Sequence, residues 1–431
     1  MRPDVPKTKA ERSRYKGKMV RWMSKESRYD PSLTVFTMEI DGYYWKGLLC
    51  SYVDDLDWLR EHILMSTYFW GVMGGRFGIT RDSPDEMLGM RRTVAPDGKS
   101  VKITLTTYIE TMYNEFRLLC GEKIPPTPMP PHTYLSLADA PEMTPAEVKK
   151  RQMLYLRIVG QLLWVQRMMA PEISTAVQQL CRMTSRPTDE AIKLAARTVA
   201  YCYGKKDDGI VYRRVDKPGL LVNVDASNKG DLADGDKAQG GYVIFLGEGP
   251  IDWRSLRLPH VGLSAGMNEY MALAVCCQAV IYLQYVIEDM GFGGYVGQGN
   301  DDGNMGIDTS QVRFGPQPER RADDLDYVYF GGCPEAEDWL KGGSVVLVDN
   351  KAAITLANDT LITAKNRFYS RLAHYSKECV AQGRVDIRWV PSGRNYSDGC
   401  TKNIDFETFA EHFPFVRGYK AKPAPPPAEP R

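Results

Sequence analysis

The sequence predicts a mixed α/β fold for its second half, a sheet with helices packed on it. Three observations carry this expectation. Short β-branched runs recur at residues 220–225, 242–246, 345–349 and 385–390, the mark of strands. Long helical patterns at 268–290 and 364–382 lie among them, with apolar residues three and four apart. Strands first, then helix and strand in alternation, indicate a mixed sheet covered by helices.

Length and composition bound the rest. A chain of 431 residues is too long for one core, so two or three domains are expected. Hydrophobic content of 43% with 25% charge is that of a soluble globular protein. By eye no apolar run reaches the roughly 18 residues of a membrane span. The start, MRPDVPKTKAERSRYKGK, lacks the apolar core of a secretory signal. An intracellular protein without membrane contact is expected. Nine cysteines without zinc-ligand spacing read as reduced thiols, and Cys276-Cys277 falls in an apolar helical pattern where burial is the plainer reading. Net charge is +1, so nucleic-acid binding would depend on local patches. One such patch is the first 28 residues, with Lys7, Lys9, Arg12, Arg14, Lys16, Lys18, Arg21, Lys25 and Arg28. It reads equally as a solvated flexible arm and as a phosphate contact.

In chain order, Pro125-Pro126, Pro128 and Pro130-Pro131 make a stiff break. From 144 to 203 the pattern is helical. Leu154, Ile158, Leu162 and Val165 form one run, and Ile173, Val177, Leu180 and Cys181 a second. A turn at Arg186-Pro187 opens a third helix, with Thr188 or Asp189 as its N-cap. Together these make a helical connector. Residues 291–343 are rich in Gly and Asp with little periodicity, and a flexible insertion is expected there. The last eleven residues, AKPAPPPAEPR, are a Pro-rich tail expected to pack against nothing.

Four acids are placed to converge. Asp225 ends the apolar run LLVNV and Asp349 ends VVLV; both runs are apolar enough for buried central strands. If those strands are parallel neighbours, both carboxylates emerge at one edge. Residues 269, 272, 273, 276, 280 and 283 share a helix face, which puts Glu269 at the N-terminal end of a core-facing stripe. Asp398 follows the run VDIRWV and the turn PSGRN. Converging carboxylates can hold two Mg²⁺ ions about 4 Å apart, which clamp the attacking and leaving oxygens of a phosphodiester. Each acid also has a plainer reading. An Asp closing a strand forms turns, a first-turn Glu complements the helix dipole, and Asp398 could be an N-cap.

The motifs around these acids resemble the RNase H domain of copia-type retrotransposon polyproteins. They are Asp225-Ala226-Ser227, Gly241-Tyr242-Val243-Ile244-Phe245-Leu246-Gly247, Trp253-Arg254-Ser255, Leu263-Ser264 with Glu269-Tyr270-Met271-Ala272-Leu273, and Asp349-Asn350-Lys351-Ala352-Ala353-Ile354. Val390-Pro391, Asn395, Asp398, Thr401 and Lys402 complete the series. The resemblance implies an RNase H-like mixed five-stranded sheet with flanking helices. It implies catalytic, metal-binding roles for Asp225, Glu269, Asp349 and Asp398, with two Mg²⁺ or Mn²⁺ ions, an RNA/DNA hybrid as substrate and water as nucleophile. Met267 stands where the family has an acid, 364–367 depart from its pattern, and the insertion is unusual for it. The insertion is expected to enter at the sheet edge opposite the acids. Lys365, Arg367, Arg371 and His374, on the helical pattern beginning at 364, could contact a duplex; a solvated basic face is the plainer reading.

The first half carries Tyr52-Val53-Asp54-Asp55 after an apolar run, which resembles the palm turn of reverse transcriptases. Asp30-Pro31, Leu88-Gly89, the segment 103–109, Thr127-Pro128-Met129, the segment 158–164 and Ala170-Pro171-Glu172-Ile173 follow in the family's order. The resemblance implies a partial palm, α+β in class, then a helical thumb or connector. Polymerase chemistry in that family needs a third aspartate on an upstream strand, and nothing resembling it precedes Tyr52; Asp30 reads as a turn residue. A truncated element without reverse-transcriptase activity is therefore expected. The expected organisation is a basic flexible arm over 1–28, a partial palm and thumb over 29–135, and a helical connector over 136–215. An RNase H-like domain over 216–415, with a flexible insertion at about 292–343, and a Pro-rich tail over 416–431 complete it. Two rival readings remain at this point. One is a decayed element that only binds nucleic acid; the other is a nuclease of this fold acting on DNA. Association with other retroelement proteins is a further expectation.

Overall fold

The computed structural model describes residues 20–40, 43–60, 63–79, 85–215, 219–227, 237–290, 313–314, 343–358 and 370–422. The chain divides into two compact units, 1–99 with 282–341, and 100–281 with 342–431.

The first unit is built on four antiparallel strands in sequence order: β1 (Val20–Glu26), β2 (Leu33–Ile40), β3 (Tyr43–Tyr52) and β4 (Asp55–Arg60). The helix α1 (Ile63–Arg76) closes a core of Met38, Trp45, Trp58, Met65 and Phe69. The rings of Trp58 and Phe69 stack at 4.2 Å. Gly47 is required beneath them, since a Cβ there would stand 2.7 Å from Trp58. The flexible arm expected over 1–28 is thus corrected from Val20 onward. Seven residues of β1 pair with β2, and the arm's charges have partners: Arg21 meets Glu39 at 3.4 Å, while Lys25 and Arg28 meet the buried Asp289 at 2.9 and 3.3 Å. Residues 1–19 lie outside the described residues. So does most of the expected insertion, apart from the two-residue strand Arg313–Phe314, which pairs in parallel with β3.

The second unit begins with β5 (Ser100–Thr104) and the helices α2 (Thr106–Cys120), α3 (Pro145–Met168), α4 (Ser174–Arg182) and α5 (Asp189–Gly204). Local signals set their starts. Thr144 and Glu147 form a reciprocal capping box at α3. Thr188, with no help from Asp189, accepts from the Ala191 N–H at α5. The proline-rich break packs along α5. Thr127 and Met129 are buried, and Arg197 and Thr198 donate to the carbonyls of Thr127 and Pro128.

β6 (Ile210–Arg213) pairs with β5 and leads to a five-stranded sheet. Its strands are β7 (Leu220–Ser227), β8 (Gln239–Leu246), β9 (Gly249–Arg257), β10 (Ser344–Val348) and β11 (Val385–Trp389), in spatial order β9-β8-β7-β10-β11. β7, β8 and β9 form an antiparallel meander, and β10 runs parallel to both β7 and β11. The four expected strands are present. β9 is an addition that periodicity did not reveal. Four further helices belong to the sequence around the sheet: α6 (Ala265–Asp289), α7 (Lys351–Asn358), α8 (Ser370–Ala381) and α9 (Phe406–Val416).

Two expectations change here. α6 is long and apolar enough by length and composition to cross a membrane, with 61% of its most apolar window buried. It packs as a core helix, with Glu269, Ala272, Leu273, Cys276 and Val280 among its buried residues. The C-terminal segment does not run free from 416. Arg417 is 3% exposed, and Lys422 lies 3.6 Å over the Phe245 ring while donating to the Glu248 carbonyl. The ammonium thus meets the face of a ring as well as an oxygen. Residues 423–431 lie outside the described residues.

Candidate metal centre

β7 and β10 pair in parallel with Val345 beside Leu221 and Leu347 beside Asn223. The same offset, carried two residues on, brings Asp349 level with Asp225. The parallel pairing posed as a condition by the sequence is present. Asp398 arrives by a different route. After β11 the chain turns through Ser392–Arg394, and the buried Asn395 side chain donates to the Val224 carbonyl at 2.9 Å, pinning the loop to β7. Ser397 Oγ donates to Asn395 Oδ1 at 2.6 Å, and a short 3-10 turn then opens at Asp398 (Asp398–Cys400). That turn lies against β8 at Gly241, the residue paired with Asp225. A Cβ at Gly241 would stand 2.6 Å from Cys400 Cβ and 2.7 Å from its carbonyl oxygen.

One carboxylate oxygen from each of Asp225, Asp349 and Asp398 lies within 4.8 Å of the other two. Glu269, one turn into α6 and 6% exposed, stands outside this triad but beside it. It takes a hydrogen bond from the Ala226 N–H, and its Oε2 is buried without a partner. Burial, then the charges of Asp225 and Asp349, push the Glu269 carboxyl up to about 9. Asp398 is pushed up to about 7 by burial and by Asp225. Asp349 is raised for the same two reasons, against a hydrogen bond from Ser392. Like charges gathered out of water resist ionisation.

Two neighbours relieve the crowding. Thr401 Oγ1 donates to Asp225 Oδ2. The Lys402 ammonium stands 3.0 Å from Asp398 Oδ1 and 3.8 Å from Asp225 Oδ2. Burial works to lower the Lys402 pKa, and Asp225 and Asp398 carry it above the ordinary value instead. Neither contact was assigned from sequence, although the four-residue step from Asp398 to Lys402 is the spacing at which opposite charges meet on a helical turn. The donor set suits a hard divalent cation: carboxylate oxygens converge, and one buried oxygen is unpartnered.

The remaining candidates lie elsewhere. Tyr52, Val53, Asp54 and Asp55 form an exposed two-residue hairpin turn in the first unit, where Val53 is 91% exposed and has a positive φ of 55°. Among the described residues, no three-acid cluster includes Asp54 or Asp55. Asp30 accepts from Ser32 N and Oγ, as a turn residue does. Lys365 and Arg367 lie outside the described residues. Arg371 belongs to α8, which is described from Ser370 on, and His374 on the same helix is exposed; the expected helix start at 364 lies outside the described residues.

No family model matches the chain. It is 24% identical over 363 residues, 84% of its length, to the retrovirus-related Pol polyprotein from transposon TNT 1-94 of Nicotiana tabacum. It is 27% identical over 205 residues, 47% of its length, to the corresponding polyprotein from transposon RE1 of Arabidopsis thaliana. The chain spans 24% and 13% of these relatives' own lengths. Among solved structures, an N-terminal RNase H domain from Mycobacterium tuberculosis aligns over 46% of the chain and 96% of its own. At 12% identity and a TM-score of 0.25, that likeness carries no weight beside the sheet order. In sequence the chain is thus similar to the Pol polyproteins of copia-type transposons, of which it spans a part.

Proposed function

We propose that the second unit contains an RNase H-like nuclease that hydrolyses the RNA strand of RNA/DNA hybrids with two divalent ions, Mg²⁺ or Mn²⁺. The observation that carries this reading is the meeting of Asp225, Asp349 and Asp398 within 4.8 Å at one edge of a sheet ordered β9-β8-β7-β10-β11. A mixed five-stranded sheet with flanking helices is the arrangement the resemblance implies for an RNase H-like domain.

Asp225, Asp349 and Asp398 would hold the ions, with Glu269 supplying the unpartnered Oε2. Bound there, divalent ions would neutralise charge on the phosphate and favour hydroxide over water. The chain's own groups do the rest. Asn395 and Ser397 fix the loop that presents Asp398. Thr401 fixes one oxygen of Asp225. Ser392 orients Asp349. Lys365, Arg367, Arg371 and His374 are proposed contacts to the duplex backbone. Choice of the RNA strand would rest on 2′-hydroxyl contacts in the shallow groove. The Tyr52–Asp55 turn is read as a residual polymerase motif without primer-extension activity.

A gel assay on the full chain with labelled RNA/DNA hybrid, all-DNA duplex and all-RNA duplex tests this. Cleavage of the hybrid's RNA strand in Mg²⁺ and its loss in EDTA are expected. Hybrid binding without metal-dependent cleavage would select the decayed, binding-only alternative, and preference for all-DNA duplex would select a DNA nuclease.

A further inference from the structure

The acid cluster contains its own cation. Lys402 reaches Asp398 at 3.0 Å and Asp225 at 3.8 Å, and the Asp349 charge also acts on it. Asp225 and Asp398 have side chains only 5% and 10% exposed, whereas that of Lys402 is 47% exposed. The lysine thus enters from the solvent side while the acids are fixed in the fold. Asp225 is held by β7 and Thr401, and Asp398 by the turn packed on Gly241. Lys402 ends in a flexible stem of four methylenes. Among the described residues at these oxygens, it is the solvent-exposed one.

We propose that Lys402 is a tethered counter-cation, which closes the Asp225–Asp398 pair in the metal-free protein and competes with divalent ions for the same carboxylate oxygens. Carboxylates buried near one another repel, and each needs a positive partner or a proton. An ammonium at hydrogen-bond distance from one and within ion-pair distance of the other supplies one positive charge. A divalent ion on those oxygens supplies two, and Lys402 then swings towards solvent. The lysine lowers the site's metal affinity and raises the stability of the empty state; the two effects are one coupling free energy read from either side. The inference rests on the metal-centre reading, although it needs no catalysis to be true.

The experiment compares the full wild-type chain with Lys402→Met and Lys402→Arg. Mn²⁺ affinity is read by isothermal titration calorimetry, and thermal midpoints are read with EDTA and with saturating Mn²⁺. Lys402→Met is expected to bind Mn²⁺ about threefold or more tightly than wild type. It should also melt lower in EDTA and show a wider gap between the EDTA and Mn²⁺ midpoints, while Lys402→Arg stays near wild type. Unchanged Mn²⁺ affinity in Lys402→Met, or weaker binding, overturns the proposal. The wild-type chain gives an independent reading if the Met variant does not fold. Reductive methylation followed by mass spectrometry should label Lys402 faster with Mn²⁺ than with EDTA, and equal or slower labelling overturns the proposal. Mn²⁺ binding with these shifts but without hybrid cleavage would sink the nuclease reading and leave the counter-cation standing. Cleavage by the wild type with unchanged affinity in Lys402→Met would do the reverse.

Discussion

Asp225→Asn removes a charge while keeping the volume and an oxygen for Thr401. The proposed chemistry loses a metal ligand and the fold loses little, so hybrid cleavage should drop by at least about a hundredfold with the thermal midpoint nearly unchanged. A mutant cleaving at the wild-type rate would remove Asp225 from the site. Glu269 carries a separate prediction about pH. Its carboxyl is raised from 4.5 to about 9 in the fold by burial and by Asp225 and Asp349. Between those values the folded metal-free protein holds a proton that the unfolded chain has released. The sign follows: stability is fully present below about pH 4.5 and is lost as pH rises towards 9. Asp398, raised from 3.8 to about 7, acts in the same direction over the lower part of that window. Thermal melts in EDTA from pH 5 to 9 should therefore fall with pH, and Glu269→Gln should flatten the slope. An equally steep fall in Glu269→Gln would show that its carboxyl is not the group responsible.

At the scale of elements, the placement of Asp398 depends on a close approach. Gly241 gives the Asp398–Cys400 turn room, and a side chain there meets backbone as well as the Cys400 Cβ. Backbone cannot swing aside as a rotamer can, so Gly241→Val should cost about 1–3 kcal/mol and weaken Mn²⁺ binding as Asp398 shifts. Chemical denaturation and calorimetry measure the two effects; a stable variant with wild-type affinity would show that the turn tolerates displacement. The elements also differ in how legible they were. β7 and β10 were visible as uninterrupted apolar runs because central strands are buried on both faces. β9 was not, because it lies at the sheet margin and mixes polar with apolar residues; its Trp253 and Asp252 find partners in Gln166 and Tyr242 only once the fold exists. The start of α6 was placed at 268, three residues late. Ser264 accepts from the Met267 N–H and begins the helix despite Gly266. The acids were legible by residue type and strand end, whereas the Lys402 contacts needed the turn that brings 398–402 back over β7.

For the molecule as a whole, the distribution of buried charge shows which parts of the second unit share one core. Glu172, in the turn between α3 and α4, forms a two-pronged ion pair with Arg417 just beyond α9, at 2.9 and 2.6 Å. Their side chains are 5% and 4% exposed. Arg417 also donates to the Gly209 carbonyl, and Tyr201 donates to Glu172. Helical connector, β6 and the C-terminal helix thus meet at one pair of residues 245 positions apart. That separation hid the contact from sequence reading and made residues from 416 on look like a tail. Removing one partner strands a charge in low dielectric, so Arg417→Met should cost about 3–5 kcal/mol. Exchanging both, as Glu172→Gln with Arg417→Met, removes the stranded charge and should recover at least about 1 kcal/mol of that loss. Urea denaturation of the wild type, both single variants and the double variant measures this coupling. If the connector and the sheet share one core, the Arg417→Met loss should appear in the same transition by near-ultraviolet signals and by hydrogen exchange in α5. A loss confined to the C-terminal helix, with α5 protected as in the wild type, would mean that the connector folds independently of the sheet it adjoins.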